Sequence, residues 1–255
     1  MTQDRLPRVV CWFSCGDASA IATKLALEKY GDTQEVVVAR ICIDSEHPDN
    51  DRFADDCSAW FGAPIVQLRS DEYADTWDVW QRRKYIAGIA GAPCTALLKK
   101  AVRYDFQRPD DIHVFGYTIE EEKRARRFTA TNFELTVELP LIEAKLRKPD
   151  CHALVRAVGI DLPAMYLLGF DNNNCIGCPK GGAGYWNMIR RHFPDAFERM
   201  ARLSRELGAR IVRQGGERIF LDELLPETGR QKDELTIDCS AFCEEVLEDI
   251  TNDAG

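Results

Sequence analysis

A short polar turn, residues 14–19, follows the apolar run 8–13 and carries the first groups that could do chemistry. It reads Ser14-Cys15-Gly16-Asp17-Ala18-Ser19. Small residues between a strand and a helix let backbone N–H groups approach an anion, and the helix N-terminus adds its positive dipole. The turn therefore predicts a phosphate-binding site. A plain strand-to-helix connection, in which Ser19 caps the helix, fits the local pattern equally well.

A second chemical signal is the pair Cys175 and Cys178, separated by Ile176 and Gly177. Two thiolates at this spacing can ligate one metal centre, while the glycine lets backbone N–H groups face the sulfur atoms. The same spacing also occurs in half of a zinc site and in redox pairs. The chain has ten cysteines, too few for a disulfide scaffold of this length, so clustered cysteines favour metal or thiol chemistry.

The composition is that of an ordinary globular protein: 45% apolar and 29% charged residues in a chain of 255. A net charge of -9 and a pI near 5.1 argue against wrapping nucleic acid unaided. Basic residues do cluster at Lys99-Lys100 and at 123–127, although each cluster alone indicates a solvated helix face. No apolar run approaches the roughly 20 residues of a membrane helix. With no leader-like start, we expect a cytoplasmic protein without membrane contact.

The elements that must position these groups follow a regular order in the first half of the chain. Near-continuous apolar runs at 8–13, 35–43, 64–68 and 112–117 predict parallel strands covered on both faces. A helix with one apolar face lies between the first two runs. The pattern predicts an α/β protein with a doubly wound, mainly parallel sheet, whose ligands bind at the carboxyl ends of the strands.

The second half is less regular and predicts a mostly helical extension. Residues 153–160 and 194–208 are helical in pattern, and 209–224 predict a hairpin that turns at Gly215-Gly216. A polar stretch leads to a tail helix with two cysteines. We therefore divide the chain into an α/β domain that contains the predicted phosphate-binding turn, 1–180, and a helical extension with hairpin and tail, 181–255.

Taken together, the motifs resemble a known family, the phosphoadenosine-phosphosulfate-reductase-like branch of the PP-loop ATP pyrophosphatases. Its members carry Ser-x-Gly-x-x-Ser after the first strand, which Ser14, Gly16 and Ser19 match. The resemblance covers roughly residues 8–200 and implies a Rossmann-like PP-loop fold that binds ATP with Mg²⁺. Cys15 and Asp17 belong to the same turn. An acid beside a bound phosphate would repel it unless the side chain is turned away.

Two further segments resemble the nucleotide-binding parts of that family. Residues 44–48, Asp-Ser-Glu-His-Pro, match its acidic turn near the base and sugar, and residues 116–127 match its glycine turn and acid-then-arginine helix. The positions that the resemblance implies are Asp44, Glu46, Gly116, Tyr117, Glu120, Glu121, Arg124 and Arg127. Simpler interpretations are a solvated turn for the first two and a helix ion pair between Glu120 and Arg124.

The cysteine segments also match. MYLLGFDNNNCIGCPKG (165–181) and GAPCTALLKK (91–100) resemble the cluster-binding segments of the family. The resemblance implies a [4Fe-4S] cluster on Cys94, Cys175 and Cys178, with one iron left open as in nucleic-acid thiolation enzymes. A fourth ligand such as Cys151 would remove that open position, and zinc is the less favoured metal.

The acidic tail segment DCSAFC contains Cys239 and Cys243, which resemble the tail cysteine nucleophile of sulfonucleotide reductases only loosely. On a helix, their spacing would place both sulfur atoms on one face, as a structural pair or as a sulfur relay. Because Cys94 stands alone where the reductases commonly have adjacent cysteines, the sequence favours the thiolation enzymes.

The leading hypothesis is an ATP-dependent sulfur-transfer enzyme that adenylates a nucleic-acid acceptor, as in DNA phosphorothioation or tRNA thiolation. Lys99 or Lys100 would neutralise the leaving pyrophosphate. Expected partners are a cysteine desulfurase or another sulfur donor, a protein that presents the nucleic acid, and a second copy in a homodimer. The alternatives are a reductase of adenylyl sulfate or its 3′-phosphate that releases sulfite, and a nucleotide- and cluster-binding sensor.

Overall fold

A computed structural model describes residues 6–88 and 91–230 of the protein. Its central sheet has five parallel strands: β1 (Val9–Trp12), β2 (Val36–Ile41), β3 (Ile65–Leu68), β4 (Ile112–Val114) and β5 (Thr136–Glu138). The order across the sheet is β3-β2-β1-β4-β5. The predicted α/β class and the four predicted strands are confirmed. β5 was not predicted, because it is a short, half-exposed edge strand without an apolar run.

The order of the strands places a topological switch point beside β1. Val9 of β1 is in register with Val36 of β2 on one side and with Ile112 of β4 on the other. The chain leaves β1 toward β2 and later returns to pair β4 with the opposite edge of β1. Ligands of doubly wound sheets bind at this point, outside the carboxyl ends of the strands.

Helices cover both faces of the sheet. In chain order they are α1 (Asp17–Tyr30), α2 (Asp49–Phe61), α3 (Thr76–Arg83), a π-helix (Thr95–Lys100), α4 (Ala101–Phe106), a 3₁₀ turn (Ile119–Glu121), α5 (Glu122–Thr131), α6 (Pro140–Glu143), α7 (Lys148–Ala157), α8 (Ala164–Leu167), α9 (Ala183–His192), α10 (Pro194–Glu206) and a 3₁₀ turn (Leu221–Glu223). Among the described residues, none of these helices is long and apolar enough to cross a membrane.

Two buried cores stabilise this arrangement. The first joins the sheet to α1 and α7 through residues such as Val9, Ile21 and Leu154. The second contains Trp80 of α3 and Trp186 of α9, together with residues of α10 and the hairpin. Residues on both sides of position 180 share the second core, so the predicted domain boundary runs through it.

The predicted hairpin is confirmed. Strands β6 (Val212–Gln214) and β7 (Glu217–Ile219) are antiparallel, and Gly215 and Gly216 both have positive φ, at 59° and 91°. That pair of conformations is the one a two-residue hairpin turn requires. The tail helix predicted around Phe242 lies outside the described residues.

Candidate functional site

A cavity of about 380 Å³ opens at the switch point between β1 and β4. Its wall contains ten of the predicted site residues: Ser14, Gly16, Ser19, Glu46, Lys99, Lys100, Gly116, Tyr117, Glu121 and Arg124. These residues come from segments spread over more than a hundred positions of the sequence. The fold therefore brings most of the predicted nucleotide site and both predicted lysines to one place.

The turn after β1 is held by one hydroxyl. The Ser19 Oγ accepts hydrogen bonds from the backbone N–H of Ser14 at 3.1 Å and of Gly16 at 3.3 Å, and from the Ser14 Oγ at 3.2 Å; it donates to the Gly16 carbonyl at 2.8 Å. Ser19 thus caps the first turn of α1 from inside the helix, as the simpler interpretation of the sequence expects. The same bonds direct small polar groups toward the cavity.

Cys15 gives this turn its sharp bend. Its φ of 54° lies in the left-handed region, which residues other than glycine seldom adopt. The Asn173 amide donates to the Cys15 carbonyl and to the Asn50 side chain, which ties the turn to the segment before Cys175. Burial raises the pKa of the Cys15 thiol strongly. Cys15 is therefore a structural member of the turn, and its side chain does not line the cavity.

Asp17 is turned away from the cavity. Its side chain is fully buried and contacts the Lys148 ammonium, and His152 Nδ1 lies 3.0 Å from its second oxygen. Burial alone would raise the pKa of Asp17, but Lys148 and His152 outweigh burial and hold that pKa below its ordinary value. The carboxylate is therefore ionised and neutralised before any ligand arrives.

Glu46 and the two lysines occupy the opposite wall. The Lys99 ammonium lies 3.6 Å from a Glu46 oxygen, and its side chain remains 45% exposed to the open cavity. Burial raises the pKa of Glu46 despite the nearby Lys99. Lys99 and Lys100, the last two residues of the π-helix, both line this cavity.

An aromatic wall completes the cavity on the β4 side. Trp12, Phe115, Tyr117 and Phe128 line it, and the rings of Phe115 and Phe128 meet edge-on at 4.9 Å. The Arg124 guanidinium lies 5.3 Å from the centre of the Tyr117 ring. Flat apolar rings next to basic groups suit a ligand with both a base and phosphates.

Gly116 allows the β4 side to approach α1 closely. A Cβ at this position would lie 2.7 Å from the Ser19 nitrogen and 2.8 Å from the Ala18 carbonyl atoms. Backbone atoms cannot yield as a flexible side chain can, so only glycine fits there. The glycine turn that the sequence singled out is thus a packing requirement of the cavity.

Two of the three predicted cluster cysteines, Cys94 and Cys175, belong to the second core. Cys94 and Cys175 are buried, and Cys178 is half-buried. The Tyr185 hydroxyl accepts from the Cys178 N–H at 2.8 Å and donates to the Cys175 carbonyl at 3.0 Å, and Ile176 N–H donates to the Ser45 carbonyl. Burial raises the pKa of the Cys175 thiol to about 12 and also raises that of Cys94.

These thiols are soft donors suited to iron or zinc. Across 6–88 and 91–230, however, no three His, Cys, Asp or Glu side chains are arranged to hold a metal ion. The donor chemistry fits a thiolate-bound metal, whereas the described arrangement does not assemble one. The cluster therefore stays a prediction.

Several predicted residues lie elsewhere. Asp44 is exposed and pairs with Arg69. The ion pair expected between Glu120 and Arg124 is wrong: Arg124 pairs with Glu121, because Glu120 turns to accept from the backbone N–H of Lys148. Arg127 is exposed on α5 and does not line the cavity. Cys239 and Cys243 lie outside the described residues.

Some of the cavity residues carry no local signal in the sequence. Lys148 and Tyr166 line the cavity, and His152 backs them, yet each is an isolated residue in its own segment. The asparagines at 172–174 form a polar stretch before Cys175, and they also line the cavity.

Neither a scan against protein-family models nor a search of curated proteins found a match for this chain.

Proposed function

We propose that this cavity binds ATP and that the protein is an ATP-dependent sulfur-transfer enzyme. One observation carries the proposal. The cavity wall contains the basic residues Lys99, Lys100, Arg103, Arg124 and Lys148 but only the acids Glu46 and Glu121, in a chain of net charge -9. Positive charge that is concentrated at one site of an acidic chain favours an anionic ligand at that site.

The phosphates would lie over the β1–α1 turn. Ser14, Gly16 and Ser19 offer hydroxyl and backbone groups at a helix N-terminus, which favours anions. Lys99 and Lys100 would neutralise the leaving pyrophosphate, and the aromatic wall would contact the base. Mg²⁺ would accompany the triphosphate, since hard cations prefer oxygen ligands.

The proposed reaction has two steps. An acceptor oxygen attacks the α-phosphorus, pyrophosphate leaves, and the acceptor becomes adenylated, which turns that oxygen into part of a good leaving group. A persulfide sulfur then displaces AMP, and a second thiol completes the transfer by forming a disulfide with the carrier cysteine. A metal cluster on Cys94, Cys175 and Cys178 would supply a site that holds sulfur.

Lys99 supports a link between the two chemistries. It lines the ATP cavity and lies 3.6 Å from Glu46, and the Ile176 N–H between the two cysteines donates to the carbonyl of Ser45, the residue before Glu46. Sulfur held at these cysteines would thus be next to the adenylated acceptor. All eight cysteines of the described residues are free thiols, which suits a reducing cytoplasm. We propose nucleic acid, DNA or tRNA, as the acceptor, delivered with partner proteins, and a cysteine desulfurase as donor.

The test uses anaerobic protein in two reactions. The first contains ATP, cysteine with a cysteine desulfurase, and either tRNA or duplex DNA; we expect AMP, pyrophosphate and sulfur in the nucleic acid. The second contains adenylyl sulfate or its 3′-phosphate with a thiol. Sulfite release without ATP would replace the proposal with a sulfonucleotide reductase. Binding of ATP without turnover in either reaction would leave a nucleotide sensor.

A further inference from the structure

Lys148, the first residue of α7, holds its ammonium group at the edge of the cavity beside the β1–α1 turn. The ammonium donates to Asp17 Oδ1 and to the Tyr166 hydroxyl, the latter at 2.8 Å. A lysine ammonium has three N–H donors, so these two bonds leave one. Because the side chain lines the cavity and is 28% exposed, the third donor can reach a ligand there.

The turn itself supplies no positive charge. Residues 14–19 contain one acid, Asp17, and no base. A phosphate above this turn would meet the N-terminus of α1 but no cation from the same segment. Lys148 brings a cation to this position from a segment 131 residues later in the chain.

Three contacts hold the two partners of this ammonium and the start of α7 in place. Asp17 is fully buried and cannot move without losing its partners, and His152 Nδ1 lies 3.0 Å from its second oxygen. The His152 ring meets the Tyr166 ring edge-on at 4.8 Å. At the backbone, Glu120 accepts from the Lys148 N–H and holds the start of α7. A lysine held in this way loses little side-chain entropy when it binds an anion.

We propose that Lys148 binds the phosphate groups of the nucleotide, and that Asp17 and His152 are positioning residues that aim it. The inference rests on the proposed nucleotide site and deepens it. It explains why an acid occupies the phosphate-binding turn: the Asp17 carboxylate does not face the ligand, and its charge orients a cation from α7. The ligand that Lys148 would recognise is a polyphosphate anion.

Calorimetric titration with inorganic tripolyphosphate, ATP and adenosine tests the proposal on the wild type and on Lys148→Gln. We expect Lys148→Gln to weaken ATP and tripolyphosphate binding at least about tenfold, the loss of one charge-assisted hydrogen bond, with adenosine binding unchanged. Since Lys148→Gln removes the ammonium partner of a buried carboxylate, the double variant D17N/K148Q restores a neutral pair. We expect it to fold, judged by its thermal midpoint, and to retain the weakened binding. Lys123→Gln, an exposed lysine outside the cavity, is the matched control.

Asp17→Asn separates positioning from simple charge. If Asp17 only subtracts charge from the cavity, its removal tightens tripolyphosphate binding; if it aims Lys148, its removal weakens that binding about threefold or more while adenosine binding stays unchanged. Wild-type affinity in both K148Q and D17N/K148Q, with ATP bound by the wild type, would overturn this inference alone. Tighter binding by Asp17→Asn would overturn the positioning role. A wild type that binds neither ATP nor tripolyphosphate would overturn both proposals.

Discussion

Gly116 marks the closest approach between the two sides of the cavity. A methyl group there would press against backbone atoms of Ala18 and Ser19 at 2.7–2.8 Å. We predict that Gly116→Ala displaces the turn after β4 from the start of α1, weakens ATP binding at least about tenfold and destabilises the fold by about 1–3 kcal/mol. Urea unfolding and calorimetry measure the two effects.

Gly182→Ala is the matched control for this prediction. A Cβ at Gly182 meets nothing within 4 Å, and its φ of -81° is open to alanine. This variant should leave ATP affinity and stability near wild type. Wild-type ATP affinity in Gly116→Ala would show that the cavity does not depend on the close approach.

At the residue scale, the sequence predicted groups with local signals and missed those paired across the chain. Ser14, Gly16 and Ser19 were recognisable because their spacing alone indicates a strand-to-helix turn. Lys148 was not, since its role depends on a contact with Asp17, 131 residues away. No sequence pattern around Lys148 or around Asp17 indicates that the two side chains are in contact.

At the scale of elements, a buried ion pair joins the starts of β1 and β4. The Arg8 side chain donates to both oxygens of Asp111, at 2.9 and 2.7 Å, and the Asp111 side chain is fully buried. Asp111 also accepts from the Arg108 N–H. This pair fixes the two strands whose opposite ends form the cavity.

We predict that Asp111→Asn lowers the free energy of unfolding by about 3–5 kcal/mol at pH 7, because a buried Arg8 charge loses its partner. Burial raises the pKa of Asp111, but Arg8 and the Arg108 N–H outweigh burial and hold it below its ordinary value of 3.8. The stabilisation is therefore complete above that value and is lost as the pH falls through the lowered pKa. Urea unfolding between pH 7 and pH 2 should show that the free energies of unfolding of the wild type and of Asp111→Asn converge as the pH falls.

The neighbouring Asp110→Asn is the control, since Asp110 is exposed; we expect less than about 0.5 kcal/mol. A gap between wild type and Asp111→Asn that stays constant down to pH 2 would contradict the account of this pair.

The cysteine loop, residues 175–178, is the second element for which we make a prediction, and that prediction concerns its metal content. We predict that anaerobically purified protein contains iron and acid-labile sulfide, and that Cys175→Ser and Cys178→Ser lose them. Cys42→Ser, which changes a buried thiol outside the loop, should retain them. Zinc without acid-labile sulfide would replace the cluster with a structural metal site.

Elements with a strong apolar pattern were predictable, and elements defined by their neighbours were not. The runs that became β1 to β4 are buried on both faces and therefore near-continuously apolar. β5 depends on its pairing with β4, and the π-helix differs from an α-helix only in its backbone hydrogen bonds. Neither element leaves a periodic signal of its own in the sequence.

At the scale of the whole molecule, charge is unevenly distributed. The chain is acidic overall, yet basic side chains prevail around the one place where the strand order reverses. The sequence shows Lys99, Lys100 and Arg124 in two separate basic clusters, each explicable as a solvated helix face, and Lys148 in neither. Only the fold gathers them in the wall of one cavity.

The account rests most directly on ATP binding at this cavity. Calorimetry on the wild type and on the double variant S14A/S19A measures it, with S58A/S70A, two half-buried serines outside the cavity, as the control. We predict that the wild type and the control bind ATP alike and that S14A/S19A binds it at least about tenfold more weakly, since the hydroxyls that shape the turn are lost. Unchanged ATP affinity in S14A/S19A would contradict the central claim.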